Sequence, residues 1–295
     1  MYDIQEIYEA VSVEDAIHAL TKNPDAVIIA GGSDVLIKIR EGKLAGCSLV
    51  GIRGIRELEG ISMDEEGTIS IGPLTTFSHI TFHPIIQKYI PVLGEAVDQV
   101  GGPQIRNIGT IGGNVSNGVT SADSASTLFA LNAELEITGP EGKRMLPIAE
   151  YYTGPGRVAL QTGELLTKII IRRENYEGFG GHYIKYAMRN AMDIATLGCS
   201  VLCRLTPDRD AVEEMRLAFG VAGPVPMRCP KTEALAKGRP LTRALLQEVG
   251  QAARTEVHPR TSWRASKEFR IQLVQELSGR ALEQAVIKAG GKIHD

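Results

Sequence analysis

The pattern of apolar and polar positions near the N-terminus predicts a helix followed by a short strand. Ser12 can cap a helix, and it precedes apolar residues at helical spacing, which are Val13, Ala16, Ile17 and Leu20. We therefore predict a helix from about Val13 to Lys22, ended by Asn23 and Pro24. The apolar run Val27–Ala30 predicts a strand, and the glycines after it turn the chain into the next element.

The next part of the chain predicts short strands, then helix, then a glycine-rich segment. Three β-like stretches separated by turns suggest another sheet, and they lie near Ile52, Ile61 and Ile71. Leu74–Val100 is typical of helix, with Thr75 or Thr76 as its N-cap. Residues 101–118 contain six glycines and cannot be regular helix or strand throughout, and a helix is predicted around Ala125–Leu131.

The remaining pattern predicts a sheet and C-terminal helices. The strands are predicted at Glu134–Thr138, Lys168–Arg172, Tyr183–Met188, Cys199–Leu205 and Met215–Val221. Gly154–Arg157 is predicted to be a loop. Two amphipathic helices should follow, the last with Phe269, Leu273 and Leu277 on one face. The three glycines of Asn175–Gly181 are typical of a connector between compact lobes.

Composition and charge exclude several classes of protein. With 295 residues and 43% hydrophobic content, the chain can build a large core. A net charge of -3 gives no reason to expect nucleic acid or an anionic membrane as partner. The N-terminus does not resemble a signal peptide, and no apolar run approaches the length of a membrane span, so we expect a cytoplasmic protein.

The cysteines and histidines do not form an evident site. Four scattered cysteines, Cys47, Cys199, Cys203 and Cys229, are too few for a disulfide framework, and we expect buried structural thiols. A metal or iron-sulfur site involving Cys199 and Cys203 is the less favoured alternative. The histidines show no metal-ligand spacing, and no metal-binding residue is predicted.

Two glycine segments are the strongest candidates for chemistry, because backbone N–H groups can hold a phosphate only where no Cβ blocks its approach. The first is Val27–Ile37, which reads VIIAGGSDVLI, and the second is Thr110–Asn114, which reads TIGGN. Neither fits the GxGxxG fingerprint, and the chain has no GxxxxGK[ST] loop, so a Rossmann or ATPase fold is not supported. Each segment alone is also compatible with a tight structural bend.

Longer motifs around both segments resemble one family, the FAD-binding subunits of molybdenum hydroxylases. AGGSDVLI at Ala30–Ile37 resembles the first flavin motif of that family, and PQIRNIGTIGGNVSNG at Pro103–Gly118 resembles the second. Further similar stretches are TSADS from residue 120, TGPG from residue 153, GELLTKI from residue 163 and SWRASKEFR from residue 262. The resemblance covers nearly the whole chain, and its details are most similar to bacterial xanthine dehydrogenase subunits.

The resemblance implies an α+β fold of the vanillyl-alcohol-oxidase (PCMH) type. Two αβ lobes, residues 1–57 and 58–176, would hold FAD, and residues 177–295 would form a C-terminal αβ domain like that of the CO dehydrogenase flavoprotein. Partner chains, a molybdopterin-binding subunit and a 2Fe-2S subunit, would pass electrons to FAD, and NAD would accept them. This chain would bind neither molybdenum nor iron-sulfur clusters, and it has no catalytic residue of its own.

The resemblance also implies which residues contact FAD. They are Val27, Ile28, Ile29, Ala30, Gly31, Gly32, Ser33, Asp34, Thr110, Ile111, Gly112, Gly113, Asn114, Asp123, Leu166 and Lys185. The two backbone segments would bind the pyrophosphate and ribityl chain, and Lys185 would favour the reduced, anionic flavin. Animal members carry an aromatic ring where this chain has Val100, so stacking at that position is not implied. Asp193 matches a motif near the nicotinamide side.

The sequence also allows other interpretations of these residues and of the whole chain. Lys185 could be a solvated lysine on a strand, and Asp123 could be a helix N-cap. Arg264, Lys267 and Arg270 fall at helical spacing and are expected to form a solvated or partner-facing surface. For the whole chain, the alternatives are the flavin subunit of another hydroxylase, acting on CO, nicotine or another heterocycle, and a binding or assembly protein without redox function.

Overall fold

Three main β-sheets, a two-stranded hairpin and twelve α-helices make up the structure, a computed structural model that describes residues 2–295. The strands are β1 (Ile4–Glu9), β2 (Val27–Ile29), β3 (Cys47–Gly51), β4 (Ile61–Met63), β5 (Ile69–Ile71), β6 (Glu134–Gly139), β7 (Gly142–Pro147), β8 (Tyr152–Gly154), β9 (Arg157–Val158), β10 (Leu165–Ile171), β11 (Phe179–Tyr186), β12 (Leu197–Leu205), β13 (Val212–Gly220) and β14 (Met227–Arg228). The helices are α1 (Val13–Lys22), α2 (Val35–Arg40), α3 (Phe77–Phe82), α4 (Pro84–Tyr89), α5 (Pro91–Asp98), α6 (Pro103–Ile108), α7 (Ile111–Ser116), α8 (Asp123–Ala130), α9 (Ile148–Tyr151), α10 (Pro230–Ala236), α11 (Arg243–Ala253) and α12 (Lys267–Lys288).

The first sheet is a small parallel unit in the order β1-β3-β2. Helix α1 begins where predicted, because the Ser12 side chain accepts a hydrogen bond from the backbone N–H of Asp15. Its buried residues recur at helical spacing and pack against the sheet, and they are Val13, Ala16 and Leu20. Strand β2 pairs in parallel with β3, and the glycines of the first segment directly follow its carboxyl end.

The second sheet is antiparallel in the order β4-β5-β10-β6-β7. Its central strand, β10, is buried along almost its whole length, because helices cover the sheet. Thr76, one of the two residues predicted as an N-cap, caps α3. The segment Leu74–Val100, predicted as helix, forms three helices, because prolines begin α4 and α5. The glycine-rich segment folds into two short helices, α6 and α7, with Gly109 between them.

The third sheet, in the order β11-β12-β13-β14, is covered on both faces. Strand β12 is apolar at successive positions, since its two faces pack against different helices. On one face Thr127 of α8 donates a hydrogen bond to the Ser200 hydroxyl over 3.1 Å. On the other face Cys199 and Val201 lie in a core with residues of α11 and α12, such as Leu273. Both predicted strands of this pair are present.

Four predictions from the sequence need correction. The stretch near Ile52 does not belong to the second sheet, because it forms β3 between β1 and β2 of the first sheet. Gly154–Arg157 is not a loop throughout, because Gly154 ends β8 and Arg157 begins β9. These two residues pair, and only residues 155 and 156 form the turn of the hairpin. Three helices, not two, follow the third sheet. Arg270 is not on a solvated face, since it is only 2% exposed. The domain boundaries stay a prediction.

Candidate functional site

The two glycine segments, far apart in the sequence, meet in the structure. A β-carbon added at Gly31 would lie 2.1 Å from the carbonyl oxygen of Ile108 and 3.2 Å from the Cα of Gly109. A side chain at residue 31 would therefore collide with backbone, which explains why this position is glycine. The contact places the end of β2 against Ile108 and Gly109, the two residues that directly precede the second segment.

The first segment offers backbone donors for an anion. Among residues 2–295, the N–H groups of Gly31, Gly32, Ser33 and Asp34 have no hydrogen-bond partner within the chain. Gly32 has a φ of +77°, a conformation that strongly favours glycine. The buried Ser33 hydroxyl also lacks a partner in the described chain. Consecutive unpaired N–H groups with an orphaned hydroxyl form a nest that suits a phosphate.

The second segment contributes shape more than backbone donors. The N–H groups of its last four residues, 111–114, already donate within the chain, to Thr75, Pro73 and Thr110. Gly112 packs so closely that an added Cβ would lie 2.3 Å from Pro73. At Gly113, by contrast, an added Cβ would meet only the Thr110 hydroxyl, at 3.0 Å. The space above Gly113 is therefore open to a ligand.

Polar side chains missed from the sequence complete this region. Lys38 of α2 donates to the Asn117 side-chain oxygen over 2.6 Å and so links the first glycine segment's helix to the end of α7. Ser124 donates to the Asn114 side-chain oxygen over 2.7 Å. The signal available for Lys38 was its position one helical turn after Asp34, on the helix that the first segment begins.

Asp123 and Lys185 lie in direct contact. The Lys185 ammonium donates to one Asp123 carboxylate oxygen over 2.8 Å and to the Gln99 carbonyl oxygen over 2.9 Å. The Tyr183 hydroxyl donates to the other Asp123 oxygen over 2.8 Å. The N-cap interpretation of Asp123 is wrong, because Ala122 is the N-cap of α8 and Asp123 its first helical residue. The solvated interpretation of Lys185 is also wrong, because its side chain is 7% exposed.

Burial controls the ionisation of this cluster. Burial raises the pKa of the Asp123 carboxyl, and the Lys185 ammonium and the Tyr183 hydroxyl act in the opposite direction. The pKa of Tyr183 is raised by burial and by the Asp123 carboxylate, so this phenol remains protonated and acts as a donor. The result is a fixed, nearly neutral pair within the fold rather than two mobile surface charges.

The remaining candidate residues are apolar and offer backbone or packing only. Val27, Ile28 and Ile29 form β2, and Ala30 follows it with a half-buried side chain. Ile111 is fully buried, and Leu166 lies in the core of the second sheet at 5% exposure. The structure therefore concentrates the polar groups at residues 31–34, Asn114 and the Asp123–Lys185 pair.

Comparison with known proteins defines the class of this site. The family described as FAD binding domain in molybdopterin dehydrogenase matches residues 2–173, and the CO dehydrogenase flavoprotein C-terminal domain matches residues 182–285. The chain therefore belongs to the family of FAD-binding proteins of the molybdopterin dehydrogenases. The resemblance inferred from its glycine motifs and the predicted α+β fold are confirmed.

Individual relatives cover almost the entire chain. The xanthine dehydrogenase FAD-binding subunit of Escherichia coli O157:H7 is 43% identical over 99% of this chain and 100% of its own length. The nicotinate dehydrogenase FAD-subunit of Eubacterium barkeri is 31% identical over 92% of each chain. The carbon monoxide dehydrogenase structure from Hydrogenophaga pseudoflava superposes with a TM-score of 0.92 at 27% identity, covering 98% of this chain and 99% of its own.

The observed groups fit FAD, the cofactor of this family. The nest at residues 31–34 suits a diphosphate, and the space over Gly113 in the second segment is open. The orphaned Ser33 hydroxyl is a polar atom that a ligand would satisfy. This fit rests on geometry in the chain itself and is independent of the family match.

The described residues contain neither a metal-binding cluster nor a membrane-spanning helix. Within 2–295, no group of three or more His, Cys, Asp or Glu side chains is arranged to hold a metal ion. Three of the four thiols are buried as expected, and Cys47 is half-buried. No helix in the described part of the chain is both long and apolar enough to cross a bilayer.

Proposed function

We propose that the chain is the FAD-binding electron-transfer subunit of a molybdenum hydroxylase of the xanthine dehydrogenase type. A molybdopterin-binding subunit and a 2Fe-2S subunit would be its partners, NAD its electron acceptor and the cytoplasm its location. The observation that carries the proposal is the meeting of two glycine segments, one with unpaired N–H groups and one with open space above Gly113. The 43% identity to a xanthine dehydrogenase FAD-binding subunit supports this particular type.

In this proposal each group of the chain has a defined task. FAD, when bound, supplies the chemistry of accepting two electrons one at a time and releasing them together as one hydride. The backbone N–H groups of residues 31–34 hold its diphosphate, and the Ser33 hydroxyl adds a donor. The backbone of residues 27–30 and 110–114 and the side chain of Leu166 would line the place that FAD occupies, which is called the cleft below.

The Asp123–Lys185 pair is assigned to the flavin end of the cleft. Lys185 is held in place by two acceptors, Asp123 and the Gln99 carbonyl oxygen, so its position does not depend on the cofactor. A fixed ammonium stabilises negative charge that develops on a reduced ring. Because Asp123 offsets part of that charge, the strength of the effect depends on the protonation state of this buried carboxyl.

Electron transfer to NAD can be tested with the purified chain. We would load it with FAD, mix it with NADH without oxygen and follow the visible flavin absorption. The proposal expects the absorption to disappear, since the reaction is reversible. Flavin that dithionite reduces but NADH does not would contradict NAD as the acceptor. Co-purification with chains that contain molybdopterin and 2Fe-2S clusters would test the partners separately.

A further inference from the structure

Three arginines lie together where α12 begins, outside the cleft described above. The Arg270 guanidinium is buried beneath the loop 260–266 and donates to the Thr196 carbonyl oxygen over 3.1 Å and to the Ser262 hydroxyl over 2.8 Å. It also donates to the carbonyl oxygen of Arg260. Arg270 thus fixes the loop that carries Arg260 and Arg264.

The positive charge of this arginine cluster is not balanced within the chain. None of the ion pairs found among residues 2–295 includes Arg260, Arg264 or Arg270. Burial and the positive charges of the other two arginines lower the pKa of Arg270. An anion bound at this loop would offset both effects, because the three acceptors of Arg270 are neutral and do not balance its charge.

Two polar atoms beside the cluster also lack partners in the described chain. The Thr196 hydroxyl is buried without a hydrogen bond, and the residue is 1% exposed. Its carbonyl oxygen is the one that accepts from Arg270. The Nε of Arg264 is likewise buried and unpartnered. Orphaned polar atoms are uncommon in native structures, and either water or a bound ligand supplies the partner that such atoms need.

An aromatic surface adjoins the same arginines. Trp263, the single tryptophan of the sequence, is 76% exposed. The Arg264 guanidinium lies 4.2 Å from the centre of its ring. One face of the indole is therefore covered by a cation, and the rest of the ring is open for stacking by a planar group such as a nucleobase.

The cluster is close to the assigned flavin end of the cleft. The Thr196 N–H donates to the Tyr186 carbonyl oxygen over 2.8 Å, and Tyr186 is the residue that follows Lys185 on β11. Lys185 pairs with Gly198 across the strands, and Thr196 lies two residues, or about 7 Å, before Gly198 in the chain. A ligand extended over this strand end could contact both regions.

We propose that the arginine cluster and Trp263 bind a nucleotide diphosphate, with the arginines on the phosphates and the indole on the base. The inference deepens the proposed function, because it assigns residues to the nucleotide electron acceptor. The site is separate from the nest at residues 31–34. Arg270 acts as a positioning residue, and Arg260 and Arg264 carry the direct contacts.

The test uses ADP as the probe and the full chain loaded with FAD, so that the flavin cleft is occupied. Flavin content is measured first, by visible absorption. ADP binding is then followed through Trp263 fluorescence and, independently, by equilibrium dialysis. The variants are Arg264→Gln and Arg260→Gln. The matched control is Arg280→Gln, which removes the same charge about 15 Å away along α12.

We expect saturable binding of ADP to the unmodified chain. Each cluster variant should weaken this binding about tenfold, because it removes one charged hydrogen bond. The control variant should leave the affinity for ADP unchanged. The proposal would be overturned if the FAD-loaded chain did not bind ADP, or if Arg280→Gln weakened ADP binding as much as the cluster variants do. A chain that holds no flavin yet binds ADP through Arg264 would support the arginine cluster and contradict the proposed function. The two failures are therefore distinguishable.

Discussion

The buried pair of Asp123 and Lys185 yields the sharpest prediction, the effect of Lys185→Met. Both side chains are 7% exposed and 2.8 Å apart, so the substitution leaves a carboxylate buried without its cation. Breaking a buried pair in this way costs about 3–5 kcal/mol of folding free energy. The corresponding loss for Lys143→Met, a 64% exposed lysine paired with Glu136, is expected to be below about 1 kcal/mol.

The loss in Lys185→Met should also depend on pH. Burial raises the pKa of Asp123, and removal of the ammonium that opposes this effect raises it further. The folded variant then binds a proton at pH values where the unfolded chain, with a carboxyl pKa of about 3.9, does not. Its stability falls as pH rises from about 4 through the raised pKa of the folded state, so it is less destabilised near pH 5 than near pH 8.

The assay is urea unfolding of flavin-free protein, which removes any contribution from ligand binding. The double variant Asp123→Asn/Lys185→Met should recover much of the stability, since it leaves no buried charge. A loss below about 1 kcal/mol, or a loss of equal size at both pH values, would refute the view of Asp123 as a buried charge held by Lys185.

Three further predictions follow from the glycine segments and the thiols. Gly113→Leu should abolish FAD retention without unfolding the chain, as judged by flavin content and circular dichroism, whereas Gly54→Leu, also in open space, should retain FAD. Gly31→Ala should cost about 1–3 kcal/mol in urea unfolding, since its Cβ would meet the Ile108 carbonyl oxygen; unchanged stability would contradict the close approach. A thiol reagent should modify Cys47 first, because burial raises the pKa of Cys203 to about 12; equally fast labelling of all four thiols would contradict their burial.

Local signals in the sequence predicted the parts of the fold that local physics determines. The cap at Ser12 and the apolar spacing after it located α1 at its observed bounds. The apolar run of β12 indicated a strand, and in the structure this strand is buried along almost its whole length. Strand β1 was missed because five of its six residues are exposed, so no apolar alternation marks it. The partners of β3 are distant in sequence, and no local pattern reveals them.

The candidate site likewise has features that local sequence predicted and features that long-range contacts determine. Glycine density located both segments, because a backbone that must approach another group closely excludes side chains. Which of the two offers donors depends on long-range hydrogen bonds, such as that from the Gly112 N–H to the Pro73 carbonyl oxygen, and these cannot be read from spacing. Tyr183 could have been found, since it lies two residues before Lys185 on one strand and therefore shares its face.

The burial of Arg270 could not be anticipated from the pattern of α12. Helical spacing grouped it with Arg264 and Lys267, yet the helix begins only at Lys267, and the preceding loop folds over the guanidinium. A loop conformation that brings carbonyl and hydroxyl acceptors to an arginine leaves no signature in periodicity.

The most direct test of the central claim is the visible absorption spectrum of the purified chain, followed by analysis of the cofactor released on denaturation. If the chain binds FAD as proposed, the spectrum is that of a flavin, and FAD is released in an amount equimolar with the chain. A chain that stays colourless after incubation with FAD, while remaining folded, would contradict it and favour the binding or assembly protein without redox function.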